Sequence, residues 1–313
     1  MTIGAGRGAA TLHVHLPSTG AEVRLAVIIV PGGSYRAGPF GWCKVAEGAD
    51  IAEWFASIGV LGAVLHYRLP QGVPDRPISD ALQAVATVRS RMAQRPWAVG
   101  IIGFSAGGHL AALASTLFTS SLNRPNFTML LYPVISMAVQ NYTHINSRRE
   151  FLGSAPSDVD VSRYSADRQV MRRTPPALLV HARDDHVVNP KSSWLYYNAC
   201  ATMPPCKATL VELPSGGHPF VNKPVAWRVA QRVIVAWLCA WAHHHVPRSF
   251  ESVKGCGNSN DPYTVGATAG QQPQGSAQLL VELRRIQGIA GAWQTDQRAR
   301  SNLHDVLTSL KQT

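Results

Sequence analysis

The sequence has no apolar run of the roughly 18 residues that a membrane-spanning helix needs. A spanning helix, and with it a membrane partner, is therefore not expected. The first residues, "MTIGAGRGAATLHVHLP", lack the apolar centre of a secretory leader, and the expectation is a cytoplasmic location. Cysteine is scarce: Cys43, Cys200, Cys206, Cys239 and Cys256 make an odd set of 5, with no Cys-x-x-Cys pair. That pattern argues against a disulfide framework and against a zinc site, and leaves buried or incidental thiols as the expectation. Acidic residues are few, 18 Asp and Glu against 29 Lys and Arg, for a formal charge of +11. The basic excess is spread along the chain, apart from the doublets Arg148–Arg149 and Arg172–Arg173. No interleaving of basic and aromatic residues accompanies it, so a solvated basic surface is expected and a nucleic-acid partner is not.

What the chain does have is alternation. Apolar runs at 23–30, 60–67, 99–104, 127–134, 177–182 and 207–213 read as buried strands. Between and around them, 45–59, 78–93, 106–118, 192–203 and 225–242 carry apolar residues at helical spacing. Strands that are apolar throughout and separated by amphipathic helices imply a parallel sheet covered on both faces. The predicted class is α/β: a doubly wound, mostly parallel sheet with helices on both sides. "TLHVHLP" at 11–17 alternates and reads as an edge strand, and 135–173 reads as an irregular excursion or small cap. After His245 the chain turns to Gly, Ser, Gln and Asn. The predicted organisation is a catalytic domain over 1–245 and a flexible extension over 246–313, with a short amphipathic helix at 278–293.

One corner carries chemistry. In "VGIIGFSAGGHLAALAS" a strand leads into Gly103-Phe104-Ser105-Ala106-Gly107 and a helix follows at once. The five-residue pattern alone arises by chance in about one such chain in ten, so its setting has to decide. Strand before and helix after make it a nucleophile elbow, which projects a serine hydroxyl above the carboxyl edge of a sheet. A serine hydroxyl needs a base to take its proton and an acid to orient the base. The chain order for this fold is Ser, then Asp or Glu, then His. Asp184 and Asp185 follow the strand at 177–182, and His218 lies in a Gly-rich loop after the last strand. Asp185 is the preferred acid because "DHVV" opens the loop toward the next helix; Asp184 would then hold the turn through backbone bonds. Among 12 histidines, His13, His15 and His66 sit in strand-like runs, and His109 is expected to pack beneath the elbow. His181 ends a strand, His186 directly follows the acid, and His243–His245 lack the spaced partners of a metal site. An ester's tetrahedral intermediate needs preorganised donors. The expected ones are the Ala106 N–H and an N–H of Gly33 or Ser34 in "VPGGSY". No metal or organic cofactor is required.

These stretches, with "AEWFASIGVLGAVLHYRLP", "LLYPVISM", "ALLVHARDDHVVNPKSSWLYYNA" and "ELPSGGHPF", resemble the bacterial carbohydrate-esterase-type α/β hydrolases. That group includes acetyl esterases, acetylxylan esterases and dienelactone-hydrolase-like proteins. The resemblance covers about residues 11–242 and leaves the tail unmatched. It implies Ser105 as nucleophile, Asp185 as acid partner and His218 as base, with oxyanion donors at "PGGSY" and Ala106. The family usually has a third glycine where Ser34 stands. The resemblance alone implies an acetyl group on a sugar or xylan fragment, so the expected partner is a small-molecule or oligosaccharide ester. The alternatives are another serine hydrolase on the same framework (a peptidase, a formamidase or a feruloyl esterase) or a non-catalytic binding protein.

Overall fold

The computed structural model describes residues 2–3, 9–17, 23–36, 47–91, 98–138 and 142–245. The chain divides into two units, Met1–Gln231 and Arg232–Thr313, and the sheet lies in the first. The extension expected over 246–313, with its helix at 278–293, lies outside the described residues.

The sheet has 8 strands: β1 (Thr2–Ile3), β2 (Ala10–His15), β3 (Leu25–Val30), β4 (Leu61–His66), β5 (Ala98–Phe104), β6 (Thr128–Leu131), β7 (Ala177–Ala182) and β8 (Ala208–Leu213). Their spatial order is β1-β2-β4-β3-β5-β6-β7-β8. β1 and β2 run antiparallel to their neighbours, and all pairs from β4 to β8 are parallel. β3, β5, β6 and β7 are buried along their whole length, which is why they read as unbroken apolar runs.

Among the described residues the helices are, in chain order, α1 (Ala49–Ser57), α2 (Asp75–Arg91), α3 (Ala106–Thr116), α4 (Ile145–Leu152), α5 (Asp158–Arg163), α6 (Lys191–Ala201) and α7 (Pro224–His245). The two faces of the sheet are covered by different helices. Ala26, Ile28 and Val30 of β3 join one core with Ala81, Val85 and Val88 of α2 and Leu110 and Leu113 of α3. On β4 the alternate residue Gly62 faces the other way, where an added Cβ would meet Ala52 of α1 at 2.7 Å. The first turn of α7 joins that second layer through Trp227, whose ring meets Trp54 of α1 edge-on at 5.5 Å.

The excursion at 135–173 contains α4, α5 and a 3-10 turn at Ala166–Gln169. It is fastened inward by Ala166 N–H donating to Ile135 O at 3.1 Å and by the Ser165 hydroxyl accepting from Met137 N–H at 2.9 Å. The cysteines depart from expectation. Cys200 and Cys206 form a disulfide across the turn that ends α6, where their Cα atoms lie 5.0 Å apart. The tight turn after α6 brings together two thiols too far apart in sequence for a Cys-x-x-Cys search to find. No helix among the described residues is long and apolar enough to cross a membrane.

Candidate active site

Ser105 occupies the single residue between β5 and α3, with φ 53° and ψ −119°. Positive φ at a non-glycine residue costs of order 1–3 kcal/mol and persists only where the surroundings enforce it. Here three backbone bonds do so. Ser105 N–H donates to Leu131 O at 3.1 Å, and Ser105 O accepts from His109 N–H at 3.2 Å and Val134 N–H at 3.0 Å. The flanking glycines permit the sharpness of the corner. A Cβ at Gly103 would lie 2.2 Å from Gly107 O, and one at Gly107 would lie 2.1 Å from Val30 O. Strand, helix and neighbouring strand touch backbone to backbone, and no side chain fits between them.

Asp185 lies in the loop after β7 and is buried. Its Oδ1 accepts from the amides of Val187 and Val188, both at 2.9 Å. Its Oδ2 accepts from His218 Nδ1 at 2.7 Å and from His181 Nε2 at 3.2 Å. Burial opposes the charge, but the bonds from His181 and His218, the His218 charge and the Val188 amide outweigh it. The carboxyl is therefore held well below the usual carboxylate range.

His218 faces Ser105 Oγ through Nε2 at 3.0 Å. Since Asp185 Oδ2 can only accept, Nδ1 carries the proton and Nε2 is left to accept from the serine hydroxyl. This is the tautomer a general base needs. His181 is fixed by the same reasoning. Its Nε2 faces two acceptors, Asp185 Oδ2 and Val188 O at 3.1 Å, so it carries the proton. His181 Nδ1 then accepts from the Ser193 hydroxyl at 2.8 Å. His181 buttresses the acid from inside the strand, a role its sequence position did not signal.

Asp184 does something other than expected. The turn after β7 is held by Asp185 itself, through Val187 and Val188. Asp184 instead reaches across to the loop after β8, accepting from Gly217 N–H at 2.8 Å and Gly216 N–H at 3.2 Å. Those two amides hold its carboxyl below the ordinary value. The two aspartates sit at a turn closed by Asp185 N–H donating to Ala182 O at 3.2 Å, and their side chains part there: one meets the imidazole and the other the loop that carries it.

Gly33 and Ser34 lie in the turn after β3, with φ of 113° and 54°. The turn closes where Arg36 N–H donates to Gly33 O at 3.0 Å. It abuts Ser105: a Cβ at Gly32 would lie 3.0 Å from Ser105 Cβ. The Gly32 amide is already committed, donating to Glu47 Oε2 at 2.7 Å. The Ala106 N–H opens α3, where first-turn amides have no partner within the helix. His109, one turn into α3, is fully buried, between the Tyr35 hydroxyl at 2.8 Å and Tyr164 O at 2.7 Å. His144, at the start of α4, lies within electrostatic reach of His218 and Asp185; burial first, then the His218 charge, push it below its ordinary value. Sequence reading did not single out Glu47 or His144, because neither sits in a recognisable motif.

The chain matches the BD-FAE family over residues 12–199. It is 34% identical over 201 residues to an acetylxylan esterase of Xylanibacter ruminicola, covering 62% of this chain and 41% of that protein. It is 30% identical over 193 residues to an endo-1,4-beta-xylanase B of Butyrivibrio fibrisolvens, covering 56% of this chain and 29% of that one. The chain thus spans less than half the length of either curated relative. Among solved structures it is similar to an acetyl ester-xyloside bifunctional hydrolase from Caldicellulosiruptor lactoaceticus, with TM-score 0.64 and 29% identity over 72% of this chain and 85% of that one. The carboxylesterase Cest-2923 from Lactobacillus plantarum, at TM-score 0.62 and 20% identity over 76% of this chain and 95% of that one, shares the α/β-hydrolase fold.

Proposed function

The chain belongs to the BD-FAE family, and from that premise we propose that it is a serine esterase hydrolysing short acyl esters, chiefly acetyl groups on carbohydrates such as xylan fragments. The observation that carries the reading is the row Ser105 Oγ, His218 Nε2, His218 Nδ1, Asp185 Oδ2, with bonds of 3.0 Å and 2.7 Å. The sugar and acetyl preferences are supported by the acetylxylan esterase and the acetyl ester-xyloside hydrolase, to which the chain is 34% and 29% identical.

In this reading Ser105 Oγ attacks the acyl carbonyl carbon as its proton passes to His218 Nε2. The carbonyl electron pair moves onto oxygen, which the Ala106 N–H and an N–H of Gly33 or Ser34 stabilise. The intermediate collapses, the sugar oxygen leaves with the proton from His218, and an acyl-Ser105 remains. Water then gives a proton to His218 and attacks the acyl carbon. Collapse of that second intermediate returns the proton to Ser105 and releases the carboxylic acid. Asp185 stays ionised throughout, holding the ring and favouring the imidazolium.

The test is hydrolysis of p-nitrophenyl acetate and acetylated xylo-oligosaccharides, beside longer acyl esters and a peptide substrate. Ser105→Ala and His218→Ala should each lower kcat on the acetyl esters by on the order of a millionfold. Near wild-type turnover by either variant overturns the triad. Preference for the peptide or for long acyl chains overturns the substrate class.

A further inference from the structure

Glu47 has no part in the proposed proton path, yet its carboxylate touches both halves of the machinery. Its Oε2 accepts from Gly32 N–H at 2.7 Å, at the start of the donor loop. Its Oε1 accepts from the Tyr132 hydroxyl at 2.9 Å. Tyr132 follows β6 directly, with φ 40°, and its ring meets the His218 ring edge to face at 4.8 Å. Phe220 packs on the other side of Tyr132, centroids 4.6 Å apart. Both carboxylate oxygens therefore accept, and the partners they hold are the loop beside Ser105 and the aromatic wall behind the base.

We propose that Glu47 is a positioning residue that locks the donor loop and the His218 ring in register through Gly32 and Tyr132. The proposal rests on the reading of Ser105 and His218 as nucleophile and base. With Gly32 N–H turned back onto Glu47, that amide is withdrawn from the site. The next two residues, Gly33 and Ser34, follow with φ of 113° and 54°, the second a strained value at a non-glycine residue that its surroundings must hold. On the other side, the phenol bond keeps the Tyr132 ring upright against His218. Burial is the strongest influence on the Glu47 carboxyl and raises it above its ordinary value, against the Gly32 amide, the Tyr132 hydroxyl and the His218 charge, which favour the ionised form. Among the described residues, Asp185 and His144 also lie within electrostatic reach of His218.

The experiment uses the full chain, p-nitrophenyl acetate and a fluorophosphonate probe to count competent serines, with kcat and KM read separately. Glu47→Leu, of similar volume, should lower kcat per competent serine by about tenfold to a hundredfold, the scale of a misplaced catalytic geometry. KM should stay within about twofold. Glu47→Gln can still accept from Gly32 and donate to the Tyr132 oxygen, so it should restore most of kcat. Wild-type kcat in Glu47→Leu, or equal loss in both variants, overturns the proposal. If Glu47→Leu does not fold, Tyr132→Phe removes one arm of the clamp and keeps the ring. It should lower kcat about fivefold, the scale of one hydrogen bond, and an unchanged kcat overturns the proposal. Full turnover by Ser105→Ala sinks the triad reading and this one with it; an inactive Ser105→Ala beside a fully active Glu47→Leu sinks this one alone.

Discussion

Asp184 and Asp185 are neighbours in sequence with opposite assignments in space, and the consequence is measurable. Asp185 is buried and bonds the imidazole. Asp184 is exposed and bonds two glycine amides. Asp185→Asn removes the charge that fixes the His218 tautomer, and kcat on p-nitrophenyl acetate should fall by on the order of 10⁴-fold. Asp184→Asn keeps an oxygen for one amide, and its kcat should fall by less than about tenfold. A larger effect at Asp184 would exchange the two roles. His181 gives a third case at this scale. Replacing it with Phe removes a donor to Asp185 and leaves the Ser193 hydroxyl without its partner. The variant should lose about 1–3 kcal/mol of stability in urea unfolding, the range for an orphaned buried polar group. The sequence pointed to Ser105, Asp185 and His218, which the fold brings into one hydrogen-bonded row, because each follows the end of a strand. It could not disclose His181 or Glu47, whose importance comes from partners far away along the chain.

Among the elements, the corner between β5 and α3 leaves the least latitude. Gly107→Ala would press a methyl group into the Val30 and Pro31 carbonyls, at 2.1 Å and 2.4 Å. Those atoms belong to fixed backbone and cannot swing aside. The variant should lose at least about 3 kcal/mol in denaturant unfolding, or fail to accumulate as folded protein; wild-type stability would mean the corner opens more easily than its contacts imply. The same element shows how far patterning carries. The run 177–182 coincides with β7, and the helix read at 106–118 corresponds to α3 at Ala106–Thr116. Burial on both faces makes such segments apolar throughout, and they announce themselves. α4 and α5 did not. α5 has no buried residue and α4 has only Ser147 and Phe151, so neither leaves an apolar stripe to read. α2 begins at Asp75, three residues before its apolar pattern, because its first turn is polar.

For the molecule as a whole, pH is the informative variable. His109 is fully buried and its ionisation is pushed down to about 4 from 6.5, by burial first, with the Tyr164 carbonyl opposing. The unfolded chain therefore binds a proton there more readily than the folded one between those two values. Stability is fully present above pH 6.5 and is lost as pH falls toward 4, by up to about 3 kcal/mol from this group. His66 and His144 are also lowered and add to the slope with the same sign. The depressed carboxyl of Asp185 acts in a lower window, below the unfolded carboxylate value near 4. Urea unfolding at pH 7, 5.5 and 4.5 should show the decline, and His109→Gln should flatten it whatever its absolute stability. An unchanged slope would assign the effect elsewhere. At this scale the alternation of strand and helix was readable from sequence, while the Cys200–Cys206 bond was not, since a short turn and not a motif joins it. The parallel run from β3 to β8 also sorts the protein into two rims. Ser105, Asp185 and His218 all stand past strand ends, and none stands where β3, β5, β7 and β8 begin. Anchoring the protein to a resin by that starting rim should leave the mouth open to polymeric substrate, whereas coupling near α4 or Val187 should hinder long chains before small esters.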